Sequence, residues 1–385
     1  MSPQVLVRTP VVRWLGVVAV TLGIFSIVTA EILPIGLLTP IGADFGLSPG
    51  RTGWLMTAPG LVAAVAAPLV TVTTSRVDRR VMLGVLMVVL AGADLLAAAA
   101  TAYWLELVAR VLVGLVIGGF WSIGAGLAQR LVPEQQVGRA TAVIFSAVPL
   151  GSVLGVPVGT FLGEYGGWRL PFVLLAGLSL LVLVALILFV PPLPAEEVTR
   201  PAVLLEVLRL RQTQVGLLAT CLIVVAHFGT YTYVTPFLRE VTGVRPELIS
   251  TLLLVYGAAG LVGNGIAGLT AQRWLRQSFM SAAGLVALAT LLLPLVGRTT
   301  LGAAALLVIW GVGYGAVPVC SMSWFAAAAP RAREAATVVF TSSFQATLSA
   351  GALLGGVLVD RTSVAAVMVC GGLTALGMVG VLLRR

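Results

Sequence analysis

From Trp14 to Ile41 the chain is an apolar run with one charged side chain, Glu31. An ionised carboxylate in hydrocarbon is costly, so an acid in such a place points to a functional site. Asp94, in a run over 81–101, and Arg110, in a run over 103–128, share that setting. A guanidinium stays protonated at any accessible pH, so Arg110 has to face a cavity or a carboxylate. The competing reading is an arginine snorkelling to the interface, since its run begins near Tyr103. At the helical rise, Glu31 lies roughly 25 Å and Asp94 roughly 20 Å from one membrane face, and Arg110 roughly 10 Å from the other. All three fall in the outer half of the bilayer, which leaves a Glu31–Arg110 pair across the first and fourth spans geometrically open. Proton chemistry is what such a set can do, and Glu31, Arg110 and Asp94 are its candidate carriers. For Asp94, a lipid-facing or packing role fits as well as a functional one.

A second set is polar and aromatic. His227, Tyr231 and Tyr233 fall in span seven, Tyr256 and Asn264 in span eight, Tyr314 in span ten, and Thr341, Ser342 and Gln345 in span eleven. Such groups at mid-membrane suit an uncharged, hydrogen-bonding ligand that contains a ring. Taken singly, each reads more simply as a helix–helix hydrogen bond. His227 stands out because an imidazole ordinarily titrates near neutrality. The candidate substrate site is therefore Glu31, Arg110, His227, Tyr231, Tyr233, Asn264, Tyr314 and Gln345. Cys221, Cys320 and Cys370 all lie within apolar runs and His227 is the one histidine, so neither a disulfide framework nor a histidine metal cluster is expected. No cofactor is expected.

The elements that position these groups follow from composition. Of 385 residues 59% are hydrophobic and 10% charged, with mean hydropathy +1.08. Uncharged apolar runs of about 20 residues, the length that crosses a bilayer, recur along the whole chain. They are too long and too uniformly apolar for barrel strands, so the expectation is an all-α membrane protein. Twelve spans can be counted, near 14–38, 52–73, 81–101, 103–128, 140–162, 170–191, 213–237, 248–270, 278–297, 301–327, 335–358 and 363–383. Arg8 and Arg13 ahead of an apolar stretch, with Val28-Thr29-Ala30, imitate a signal peptide, but the run continues past that point and the later spans need a first helix.

All 23 basic residues are arginines, against 14 acids. With both termini placed in the cytoplasm, 16 arginines fall in cytoplasmic segments and 6 in external ones, Arg110 being the remaining one. That asymmetry sets the expected orientation and explains the basic balance without nucleic acid as a partner. The longest polar interruption, Pro194 to Arg211, divides the chain into a six-helix bundle at 1–193, a cytoplasmic linker at 194–211 and a second bundle at 212–385. An offset of 197 pairs Gly60 with Gly257, Arg76 with Arg273, Arg79 with Arg276, Gly114 with Gly311, Gly118 with Gly315 and Pro133 with Pro330. Six matches at one offset indicate a duplicated six-helix unit, an architecture that places a binding site between the halves.

Three motifs describe helix contacts. Gly114 and Gly118 follow Arg110 at four-residue spacing and make a smooth packing face. Gly151, Gly155, Gly159 and Gly163, with Pro157 among them, give span five a thin, bent face for a close neighbour or a pivot. Asp78, Arg79 and Arg80, between spans two and three, read as an anchor or as a latch in which the arginines cap helix C-termini and pair with Asp78.

Together these pieces resemble the major facilitator superfamily, in its drug and metabolite proton-antiporter branch. Arg110-x-x-x-Gly114-x-x-x-Gly118 matches that family's fourth-helix motif, and Gly151 to Gly163 its fifth-helix antiporter motif. Asp78-Arg79-Arg80 is a worn copy of the cytoplasmic signature, whose leading glycine and acid are missing. Within the branch the chain is most similar to bacterial purine ribonucleoside efflux pumps. Glu31-Ile-Leu-Pro34, Leu37-Leu-Thr-Pro40, Gly118-Gly-Phe-Trp121 through Arg130-Leu-Val-Pro133, Val143-Ile-Phe, Gly167-Trp-Arg169, Thr232-Tyr-Val-Thr-Pro236 and Val317-Pro318 carry that likeness. It implies a twelve-helix secondary transporter, monomeric in a bacterial inner membrane, that exports a small solute such as a nucleoside, sugar or drug in exchange for protons. A proton-coupled uptake symporter of the same fold is the alternative. A membrane-embedded enzyme, which needs convergent titratable groups, is a distant one.

Overall fold

A computed structural model describes residues 10–74, 77–123, 127–194, 201–330 and 332–383. Arg8, Arg76, Arg200, Arg331, Arg384 and Arg385, counted above as cytoplasmic, lie outside the described residues, as do Glu196 and Glu197 of the linker. Among the described residues twelve helices are long and apolar enough to cross a membrane: Pro10–Phe45, Pro49–Val70, Arg79–Ala98, Tyr103–Trp121, Arg139–Gly166, Leu170–Phe189, Arg211–Tyr231, Pro246–Ala271, Arg273–Val296, Thr300–Ala328, Val338–Arg361 and Val364–Leu383. They are spans one to twelve below. A helix satisfies most of its backbone polar groups internally, which hydrocarbon demands, and internal prolines such as Pro34 leave single carbonyls to other partners.

Three departures from the expected boundaries have local causes. Span one runs on to Phe45 with Pro34 and Pro40 inside it. Spans eight and nine are two helices that meet at a kink at Trp274 (φ −130°, ψ 53°) with no loop between them. A short amphipathic helix, Pro201–Arg209, fills part of the linker; its Val207 packs against Phe325, Ala329 and Phe340.

Two large apolar cores organise the molecule. One is drawn from residues 17–193. The other is drawn mostly from residues 215–382, with Ile35, Leu38, Met56 and Val156 of the first half joining it across the seam. The internal repeat extends to contacts. A methyl group added at Gly114 would collide with the Pro59 carbonyl, and one at Gly311 with the Tyr256 carbonyl. One at Gly118 would meet the Ala63 carbonyl, and one at Gly315 the Gly260 carbonyl. Each pair of contacts is related by the same offset of 197. The joint between spans two and four is thus built again between spans eight and ten.

At one end the halves are sealed together. The Asp360 carboxylate, ending span eleven, accepts from Ser48 Oγ at 2.7 Å and from the Gly50 amide at 2.9 Å. It therefore serves the exposed amides at the start of span two from the opposite half. Gly50 lies so close to Asp360 and the Gly356 carbonyl that a Cβ there would collide with both.

Candidate functional site

Span one is held by the glycine face of span five. Added methyl groups would meet Val28 at Gly151, Ile32 and Thr29 at Gly155, Leu33 at Gly159 and Leu37 at Gly163. The four-residue spacing thus marks the surface on which the Glu31 helix lies. Pro157 removes the helical donor for the Val153 carbonyl, and residue 153 packs against Gly257 of span eight. Gly114 and Gly118 do the corresponding work between spans four and two.

Glu31 crosses the seam. Its Oε1 accepts a 2.9 Å hydrogen bond from Gln345 Nε2 of span eleven. Glu31 is 8% exposed and Gln345 4%, so the bond is nearly dry yet retains contact with open space. Hydrogen bonds to an ionised acceptor are about twice as strong as neutral ones. The second oxygen-bearing group of the pair, Gln345 Oε1, has no partner.

The structure pairs Arg110 differently from a Glu31–Arg110 bridge. Arg110 Nε faces Glu106 Oε1 at 3.6 Å, one helical turn earlier on span four. Its Nη1 donates to the Ala30 carbonyl at 2.8 Å. The cause lies in span one: Pro34 has no N–H for the carbonyl four residues before it, and that carbonyl is Ala30. The proline frees an acceptor and the arginine takes it. Arg110 also sits 5.1 Å from the Phe172 ring. Asp94 is fully buried within Coulombic reach of Arg110 and Glu106. Arg110 and Asp94 are therefore packed inside the first six spans, with no exposure to a substrate cavity. Glu106 was legible as the i, i+4 partner of Arg110.

The aromatic candidates converge. A cavity of ≈ 140 Å³ lies between Ile32 and Ile35 of span one, Val148, Ser152 and Val153 of span five, and a wall of spans seven, eight and ten that includes His227, Tyr231, Tyr256, Asn264 and Tyr314. His227 stacks on Tyr314 with ring centroids 3.2 Å apart and on Tyr231 at 5.1 Å. Tyr231 stacks in turn on Tyr256 at 4.5 Å. Trp310, absent from the candidate set, stands edge-on to three of these rings and donates Nε1–H to His227 Nδ1 at 3.1 Å. That bond requires an unprotonated Nδ1 and leaves the imidazole proton on Nε2. His227 is thus oriented as a wall of the cavity. Tyr314 lies near Glu31, and its hydroxyl has no partner.

Tyr233 lies elsewhere. It follows the end of span seven, is buried, and donates to the Ala352 carbonyl at 2.8 Å, against Gly53 and Gly356 in the seal. The helix break after Tyr231 turns it away from the cavity. Asp78 caps span three through the Arg80 amide (2.8 Å). Arg79 Nη1 donates to Thr74 O at the end of span two (3.3 Å), and Arg80 Nη2 to Ile187 O near the end of span six. The arginines reach carbonyls at helix C-termini, and Asp78 caps an N-terminus.

A family model described as Major Facilitator Superfamily matches residues 20–350 and, again, 236–385. A transcription regulatory protein, OpdE, of Pseudomonas aeruginosa is 33% identical over 91% of this chain and 88% of its own. The purine ribonucleoside efflux pump NepI of Escherichia coli is 30% identical over 94% of this chain and 91% of its own. The NepI of Salmonella paratyphi A is 31% identical over 91% and 88%. Among solved structures, an inward-facing bacterial homologue of the human lysosomal transporter Spinster superposes with a TM-score of 0.72 at 16% identity, covering 98% of this chain and 96% of the other. The human organic anion transporter MFSD10 superposes at 0.71 and 17% identity, covering 97% and 100%.

Proposed function

The chain belongs to the Major Facilitator Superfamily, and from that premise we propose that it exports a ring-containing, uncharged solute in exchange for protons. It is a multi-pass membrane transporter and not an enzyme. One observation carries the finer reading: Glu31, nearly buried on span one, is bonded to Gln345 of span eleven beside an aromatic cavity that both halves line.

The cycle follows from that bond. An ionised Glu31 holds Gln345 by a charge-assisted hydrogen bond and ties the halves together within the membrane. Taking a proton weakens the bond and releases the seam. The bundles at 1–193 and 212–385 then rock about the midplane, with the 194–211 linker as tether. Substrate entering from the cytoplasm lies against the His227–Tyr314 stack and competes with the protonated state, so binding of one partner expels the other. Such coupling is reciprocal between the two ligands. Arg110 acts in this scheme by fixing span one at Ala30, one residue before Glu31, rather than by pairing with the acid. The arginine distribution favours cytoplasmic termini, and the resemblance to efflux pumps favours a monomer in a bacterial inner membrane.

The ligand class rests on the stacked rings and on Asn264, which suit a planar heterocycle with hydrogen-bonding edges. The names of the Escherichia coli and Salmonella relatives agree with a purine ribonucleoside. The Pseudomonas relative's name suggests a role in transcription, but nothing on the described residues favours a nucleic-acid surface. The test is counterflow of labelled inosine in oriented proteoliposomes. Under export by antiport, a proton gradient directed against the substrate flux accelerates it, and Glu31→Gln abolishes that acceleration. Acceleration by the opposite gradient would establish symport and overturn the reading.

A further inference from the structure

The first six spans bury a second set of charges, of which the exchange cycle uses only Arg110, through its bond to Ala30. Asp94, Glu106 and Arg110 are each 0% exposed. Both oxygens of Asp94, both of Glu106, and Arg110 Nε and Nη2 lack hydrogen-bond partners. Two carboxylates therefore stand against one guanidinium. The groups facing them from the neighbouring elements do not restore the balance. Span one contributes the Ala30 carbonyl and span six the Phe172 ring. Tyr103 lies one turn before Glu106 on span four. Arg169 is within Coulombic reach of Glu106, but it is half exposed and engaged by Asp44 at 2.9 Å and by the Ala100 carbonyl at 2.9 Å.

With Arg169 paired, the buried set carries one negative charge in excess. A buried charge without a partner is neutralised rather than kept. The available neutralisation is a proton, and a protonated carboxyl also supplies the O–H donor that two carboxylates together lack. We propose that Asp94 and Glu106 form a second proton-binding site, holding one exchangeable proton against Arg110 and separate from Glu31. Tyr103, one helical turn from Glu106, and Arg169 lie beside it. Its link to the first site is the Arg110–Ala30 bond, which fixes the backbone position next to Glu31. A change in the charge of the set thus acts on span one without any contact between the two acids.

Infrared spectroscopy of the purified protein in nanodiscs tests this without transport. The Glu31→Gln variant is expected to retain, at neutral pH, a carbonyl band of a protonated carboxyl that shifts in D2O. Adding Asp94→Asn balances one carboxylate against one guanidinium and is expected to remove that band, as is adding Glu106→Gln. Arg110→Lys keeps the charge count and keeps the band. Absence of the band in Glu31→Gln itself overturns the proposal, even if the double variants fail to fold. So does its persistence in both double variants. Because the readout is spectroscopic, failed antiport and a failed second site give different results.

Discussion

Replacing Gln345 by Leu removes one donor while keeping nearly the same side-chain shape, so it isolates the bond that ties span one to span eleven. A hydrogen bond to a charged group contributes about 1.5–3 kcal/mol. Since this one crosses the seam, its loss falls on the sealed arrangement, where Glu31 is left buried without its partner. At about 1.4 kcal/mol per tenfold, the sealed-to-open ratio falls roughly 10- to 150-fold. Spin labels at Arg51 and Arg361, both exposed beside the Ser48–Asp360 contact, report the seal directly once Cys221, Cys320 and Cys370 are replaced. Pulsed dipolar spectroscopy on this pair is expected to show a short distance in the parent and a large gain of long distances in Gln345→Leu. Glu31→Gln retains a neutral hydrogen bond and is expected to shift the distribution less. Identical distributions in the parent and Gln345→Leu would refute the claim that this bond holds the halves together.

Three further outcomes follow from particular contacts. Gly155→Leu drives a side chain into Ile32 and Thr29 and is expected to cost about 1–3 kcal/mol, read as a lower Tm with lost transport. Gly155→Ala, whose methyl meets the flexible end of Ile32 at 3.2 Å, should stay near the parent, and equal damage from both would contradict the packing assignment. Asp360→Asn weakens the cap on span two by about 0.5–2 kcal/mol and is expected to lengthen the same label distance; an unchanged distance would remove Asp360 from the seal. Trp310→Phe deletes the donor to His227 and loses about 0.5–1.5 kcal/mol, which at constant maximal rate raises KM about 2- to 12-fold. An unchanged KM would remove the aromatic stack from the substrate wall.

The apolar runs disclosed twelve spans because hydrocarbon leaves a helix as the only single-segment solution, and run length is a local property. The glycines at 151, 155, 159 and 163 were legible for the same reason: four-residue spacing is one helix face, and only the identity of the neighbour was hidden. Glu31 was conspicuous as a lone charge. Its partner was not, since Gln345 lies 314 residues away and nothing local distinguishes it from other polar residues at mid-membrane. Arg110 drew attention to depth, and depth suggested Glu31. The local clues, Glu106 four residues before it and Pro34 four residues after Ala30, pointed to the partners the structure displays. Tyr233 shows the opposite limit. Two residues from Tyr231 in sequence, it falls on the other side of a helix break, and its direction depends on backbone geometry that composition does not encode.

The joint at Gly114 and Gly118, built again at Gly311 and Gly315, gives the molecule an internal replicate. The same carbonyl-to-glycine contacts exist twice, once beside the charged half and once beside the aromatic half. Matched alanine substitutions at 114 and 311 therefore apply one steric insult in two contexts of the same fold. Whatever the two variants share belongs to the joint, and whatever separates them measures the division of labour between the bundles.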